Sequence, residues 1–194
     1  MRSAKITRTT KETDIIAKLN IDGESKIDID TGIGFFDHML TALAVHAGWD
    51  LTLKCKGDLY VDSHHTIEDC GITLGQALNE ILNDKSGIMR YGNAAIPMDE
   101  TLVSAAIDIS GRPYCVFNCD FTYQKIGEMD TQMVEEFFKA FSFNAKITMH
   151  INLMYGTNDH HKAEACFKAV AHAIKQALSK NVDNTTVLSS KGML

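Results

Sequence analysis

The sequence predicts an α/β (α+β) fold: an internally duplicated, two-lobe unit of mixed sheets with helices packed on one face. Three observations predict it. The second half of the chain repeats the first; strand-like segments alternate apolar and polar residues with period two; and amphipathic helical runs fall at matching places in each half.

The first repeated element is a strand. Shifted by 88 residues, "ETDIIAKLNIDG" (12–23) lies on "ETLVSAAIDISG" (100–111), with Glu12 on Glu100, Thr13 on Thr101 and Gly23 on Gly111. Apolar positions 15, 19 and 21 meet 103, 107 and 109, so both segments read as alternating strands ending in a glycine turn. Shifted by 98, "HMLTALAVHAGWDLTL" (38–53) lies on "EFFKAFSFNAKITMHI" (136–151), a helix followed by a strand. Shifted by 96, "HHTIEDCGITLGQAL" (64–78) lies on "HHKAEACFKAVAHAI" (160–174). There Cys70, Leu74, Leu78 and Leu82 match Cys166, Val170, Ile174 and Leu178 as one apolar helix face. The expected order is strand, strand, helix, strand, helix, twice. It gives a single domain, 1–194, of two lobes at about 1–90 and 91–184 with a tail at 185–194. The turns "NIDGES" and "DISGRP" favour mixed or antiparallel sheets. By composition the tail "TTVLSSKGML" reads as a frayed terminus.

Composition narrows the function. Of 194 residues 45% are apolar and 23% charged, enough for a proper core. A formal charge of −6 with no Arg-rich run argues against a nucleic-acid partner. No apolar run approaches the roughly 20 residues of a membrane span, and the first residues lack the apolar stretch of a signal peptide. Five cysteines without a C-x-x-C read as reduced thiols of a cytoplasmic protein.

The chemistry lies in a doubled H-H-x-x-E pattern, "HHTIE" at 64–68 and "HHKAE" at 160–164. On a helix, residues four apart share a face, so His64 with Glu68, and His160 with Glu164, can grip one ion. Adjacent residues diverge by about 100°, so His65 and His161 reach toward a different centre. The repeat adds His38 and its partner Glu136, making eight ligands for two metals. Imidazole and carboxylate without thiolate leave Mn, Fe, Co, Ni and Zn open; six-coordinate, exchangeable chemistry favours Mn. Asp62 and Asp159 are placed to act as N-caps of the two helices. His46 ends a helix, where it caps the helix or faces a site; His150 lies mid-strand, packed or at the surface, and His172 on a solvated helix face.

At these residues the chain resembles a known family. "DTGIGFFDHMLTALAVHAGWDL", "DSHHTIEDCGITLGQAL", "GRPY", "YGTNDHHKAEACFKA" and "SSKG" are similar to imidazoleglycerol-phosphate dehydratases of histidine biosynthesis, in the monofunctional form. The resemblance implies a duplicated unit related to domain 2 of ribosomal protein S5. It further implies a 24-subunit homo-oligomer whose sites, with two Mn²⁺ each, are completed by neighbouring subunits. It assigns one metal to His38, His65, His160 and Glu164, and the other to His64, Glu68, His161 and the position of Glu136. Many relatives carry histidine at that last position, and Glu135 beside it offers a competing carboxylate.

The implied substrate is a phosphorylated imidazole that loses water from its glycerol chain. The proton lost is not activated by a carbonyl, which explains a need for Lewis acids and a positioned acid/base. Resemblance and repeat both point to Glu12 for that role. Arg90, Arg112, Lys168, Ser190 and Lys191 form the implied phosphate pocket, and the tail is then expected to order against substrate or a neighbouring subunit. Two other readings carry the same ligands: a dinuclear phosphate-ester hydrolase, and a metal-storage or metal-bridged assembly.

Overall fold

Alternation is visible wherever a strand runs along the core. In Thr13–Asn20 every odd position is buried and the even ones face outward, and Thr101–Asp108 repeats the pattern. The structure, a computed structural model, describes residues 2–83, 85–182 and 185–192. The first half comprises β1 (Ser3–Thr9), β2 (Thr13–Asn20), β3 (Ile27–Asp30), α1 (Gly34–Ala47), β4 (Asp50–Gly57) and α2 (His64–Leu82). The second comprises β5 (Tyr91–Met98), β6 (Thr101–Asp108), β7 (Tyr114–Asn118), a hairpin of β8 (Lys125–Ile126) and β9 (Met129–Asp130), α3 (Gln132–Ala145), β10 (Thr148–Tyr155) and α4 (Asp159–Leu178).

The first half therefore has one strand more than the repeat suggested, and the second has the matching extra strand and the β8–β9 hairpin besides. The sheets run β1-β2-β4-β3 and β5-β6-β10-β7. β3 pairs in parallel with β4, and β7 with β10, while the remaining neighbours are antiparallel. The glycine turns do not close hairpins: they carry the chain past the central strand to the far edge. From there a helix returns it, because parallel neighbours need a crossover. β3 is only "IDID", too short for its alternation to be told from loop.

The helices form a layer between the two sheets. α2 lies on β1 and β2 and packs along α3; α4 lies on β5 and β6 and packs against α1. Helices from opposite halves thus meet at the centre. α2 can approach α3 closely because it carries glycine there. A Cβ on Gly75 would stand 2.5 Å from the Phe141 carbonyl oxygen, and one on Gly71 would stand 2.9 Å from that of Phe137. Phe36, Phe137 and Phe167, all fully buried, join α1, α3 and α4. Phe137 stacks on Phe167 at 5.2 Å and meets Phe36 edge-on at 5.4 Å. Such ring pairs contribute about 0.5–1.5 kcal/mol each beyond their buried area.

Helix ends preserve the duplication as well. α1 stops at Gly48 (φ 76°) and α3 at Lys146 (φ 54°), both left-handed, each donating its N–H back into the last turn. At the other end of α4 the cap is Asn158, whose side chain accepts from the amides of His160 and His161. Asp159, expected in that role, is already helical. It turns inward to accept from the Thr122 and Tyr123 amides at 2.8 and 2.7 Å and from Lys162 Nζ at 2.8 Å, which ties the approach to β8 onto α4. Asp62 is not the cap of α2 either, since Ser63 holds that position, but from one residue further out it accepts from the His64 amide at 2.7 Å. Beyond α4 the chain runs back over residues 87–90. Thr186 O accepts from the Gly87 amide at 3.3 Å, and Leu188 O from Arg90 Nη1 at 2.6 Å. Residues 193–194 of the tail lie outside the described residues.

Candidate active site

Packing of α1 on α4 brings the two halves of the sequence motif together. His38 stands in the second turn of α1, and His160 and Glu164 stand one turn apart on α4. Glu164 Oε2 is 3.4 Å from His38 Nε2 and 3.2 Å from His160 Nε2. Donor atoms of these three residues all fall within 4.8 Å of one another. Phe35 holds the His160 ring edge-on at 5.1 Å. Two imidazoles and a carboxylate without sulfur suit a divalent transition ion, so the residues fit the implied metal.

Glu164 is the buried member. Burial works against its charge. Even so, Lys168 Nζ, 2.6 Å from Oε1, together with His160 and His38, holds the carboxyl below its usual range. One oxygen is therefore occupied by Lys168 while the other faces the histidines.

The other five expected ligands lie elsewhere in this single chain. His64 Nε2 is 3.6 Å from Glu68 Oε2, as helical pitch requires. Glu68 and Glu136 line one cleft of about 490 Å³ with Tyr114, Cys115 and Lys139. Lys139 Nζ reaches both Glu135, at 2.9 Å, and Glu136, at 3.2 Å, so both carboxylates already share a cation. His65 falls outside the cluster that holds His38: its Nδ1 meets Asp58 at 3.0 and 3.2 Å, and its Nε2 lies 3.8 Å from Glu12 Oε1. His161 mirrors it, with Nδ1 2.7 Å from Glu100 Oε2 and Nε2 3.7 Å from Asp99.

Glu100 was legible as the repeat partner of Glu12, but nothing in the sequence marks Asp58. Glu100 is locked in place: Oε1 accepts from the Asn158 and Thr157 amides at 2.8 and 3.1 Å and from the Thr101 hydroxyl at 3.0 Å. Those amides and His161 hold its carboxyl far below the ordinary range. Glu12 is the opposite case: its side chain is 52% exposed.

The expected phosphate contacts form two groups. Arg90 is buried, left-handed (φ 68°), and grips Asp108 through Nε at 2.7 Å and Nη2 at 3.1 Å. Arg112 reaches the same carboxylate at 3.5 Å but is largely exposed. Arg90 also holds Leu188 O, so the segment carrying exposed Ser190 and Lys191 starts beside both arginines. Lys168 belongs to the other group, with Glu164. His46, at the end of α1, meets exposed His172 at 3.2 Å, and His150 is exposed on β10.

The sequence and the fold match a family. A model described as imidazoleglycerol-phosphate dehydratase matches residues 31–174. The chain belongs to the imidazoleglycerol-phosphate dehydratase family. A family member of that name from Clostridioides difficile (strain 630) is 56% identical over 194 residues, covering all of both chains. One from Streptococcus mutans serotype c is 53% identical, again over the full length of both. Among solved structures, the family's enzyme from Staphylococcus aureus superposes with a TM-score of 0.84 at 43% identity, covering 92% of this chain and 99% of that one. The Pyrococcus furiosus enzyme, in complex with (S)-C348, gives 0.83 at 38% identity, covering 97% and 100%. Among the described residues, no helix is long and apolar enough to cross a membrane.

Proposed function

We propose that this protein dehydrates imidazoleglycerol phosphate to imidazoleacetol phosphate in histidine biosynthesis, a metal-dependent hydro-lyase reaction. The observation that carries the reading is the convergence of His38, His160 and Glu164 from opposite halves of a chain that belongs to the dehydratase family. One divalent ion is held by these three with His65, and a second by His64, Glu68, His161 and Glu136. Mn²⁺ is the ion we assign to both. Cations held there supply Lewis-acid polarisation of the imidazole and of the leaving hydroxyl.

In one chain His65 and His161 are not members of the three-residue cluster. This supports sites completed by neighbouring copies in a homo-oligomer, for which the family's 24-subunit shell is the natural form. Each chain then acts as one catalytic domain of two lobes, about 1–90 and 91–184. Five free thiols support a cytoplasmic setting.

The substrate loses a hydroxyl from the carbon bearing the ring and a proton from the adjacent carbinol carbon. The enol so formed takes up a proton on the ring-bearing carbon, gives up its hydroxyl proton and becomes the ketone. Glu12 is the group that moves the proton: it is half exposed, beside His65 Nε2, and not tied down as Glu100 is. Arg90, Arg112, Lys168, Ser190 and Lys191 bind the phosphate. The Arg90–Asp108 pair fixes one guanidinium for that task, and the tail folds over the arginines.

The test is direct. Purified protein supplied with Mn²⁺ converts imidazoleglycerol phosphate to an enolisable ketone, followed by ultraviolet absorbance. Absence of turnover by metal-replete, assembled protein overturns the proposal.

A further inference from the structure

The five histidines of the site are of two kinds. His38, His64 and His160 turn Nε2 toward a glutamate that is itself a ligand candidate. His65 and His161, the second members of each H-H pair, are instead met at Nδ1: His65 by both oxygens of Asp58, and His161 by Glu100 Oε2. A carboxylate only accepts hydrogen bonds, so a neutral imidazole facing one at Nδ1 must carry its proton there. Nε2 is then left with a bare lone pair, the form a metal requires. An acceptor on the non-ligating nitrogen also fixes the ring's orientation.

Divergence between the repeats supports this division of labour. Glu12 and Glu100 are equivalent positions, each in the turn between the first two strands of its half. Glu12 lies on the Nε2 side of His65, where a substrate or ion would stand. Glu100 lies on the Nδ1 side of His161, immobilised by two amides and a hydroxyl. In the first half Asp58, from the loop before α2, takes over the Nδ1 side, and Glu12 is released.

We propose that Glu100 and Asp58 are positioning residues: they hold the proton on Nδ1 of His161 and His65 and so reserve Nε2 of each for a divalent cation. The proposal rests on the metal-binding reading above and goes beyond it by naming the groups that prepare two of the ligands.

Glu100→Gln separates positioning from mere loop support. The two carboxylate oxygens have distinct partners: Oε1 takes the Thr157, Asn158 and Thr101 donors, and Oε2 takes His161. A glutamine that keeps its oxygen at Oε1 retains the loop contacts but presents an NH₂ group to Nδ1. The ring must then accept at Nδ1 and carry its proton on Nε2, where it blocks the metal. Asp58→Asn is milder, because either end of the amide can turn its oxygen to Nδ1; Asp58→Ala removes the acceptor altogether.

The measurement is equilibrium dialysis of metal-free, full-length protein against Mn²⁺, with thermal unfolding of the metal-free form alongside. Glu100→Gln and Asp58→Ala are expected to weaken Mn²⁺ binding about 10- to 100-fold. Asp58→Asn is expected to bind nearly as wild type, and metal-free Glu100→Gln to unfold at the wild-type temperature. Wild-type Mn²⁺ affinity in Glu100→Gln overturns the proposal; should that variant not assemble, wild-type affinity in Asp58→Ala overturns it instead. Wild-type protein that takes up no Mn²⁺ at all would be a different failure, that of the metal reading itself.

Discussion

His38 Nε2 and Glu164 Oε2 lie 3.4 Å apart, although one stands on α1 and the other on α4, at opposite ends of the sequence. With His160 they make the one three-donor cluster found among the described residues. Removing either imidazole leaves two donors in place of three, the other imidazole and a carboxylate whose second oxygen is already paired with Lys168. His38→Ala and His160→Ala are therefore expected to lose bound Mn²⁺, read by elemental analysis after dialysis. Full metal occupancy in both variants would mean that the ion sits elsewhere.

Glu12 lies 3.8 Å from His65 Nε2 with half its side chain exposed, well placed to exchange protons. Glu12→Gln keeps size and polarity but cannot take a proton. Turnover should fall by about 10²- to 10⁴-fold with metal content unchanged. Unaltered turnover would assign proton transfer to another group.

Lys146 takes the left-handed conformation that Gly48 takes at the equivalent end of α1. A side chain there costs about 1 kcal/mol that glycine avoids. Lys146→Gly should raise stability by about 0.5–1 kcal/mol, seen as a higher urea midpoint, and leave activity alone. A lower midpoint would show that the lysine side chain contributes more than its backbone strain costs.

Arg2 ties the start of β1 to the turn after β2: Nη2 is 2.7 Å from Asp22 Oδ1 while Nη1 holds the Leu178 carbonyl at 2.7 Å. The guanidinium brings the Asp22 carboxyl down to about 2. A lowered carboxyl value stabilises the fold above the unfolded value of 3.8, and the contribution is lost as pH falls through about 2. The pair is partly exposed, so Asp22→Asn should cost only about 0.5–1 kcal/mol at neutral pH. Urea midpoints of wild type and variant should converge between about pH 4 and pH 2; a gap that persists there would assign the loss to packing rather than charge.

Much of the site was legible because its rules are local. Helical pitch alone places His64 over Glu68 and His160 over Glu164, and the repeat alone pairs Glu12 with Glu100. Other features follow from non-local pairing and could not be read. The four residues of β3 become a strand only because β4 lies beside them. Asp159 looks like a cap in sequence and becomes a buried clamp because the 120–123 segment reaches it.

The sequence by itself determined the duplication, the two sheets' alternation and the forked histidine pairs, since each depends on spacing within one element. The resemblance groups His38 with Glu164, but only the tertiary structure brings the two within 3.4 Å and sets Asp58 and Glu100 behind His65 and His161. The reason is physical: those distances are set by how helices pack over glycine and phenylalanine in the shared core and by where loops land on them. Spacing along the chain carries no record of either.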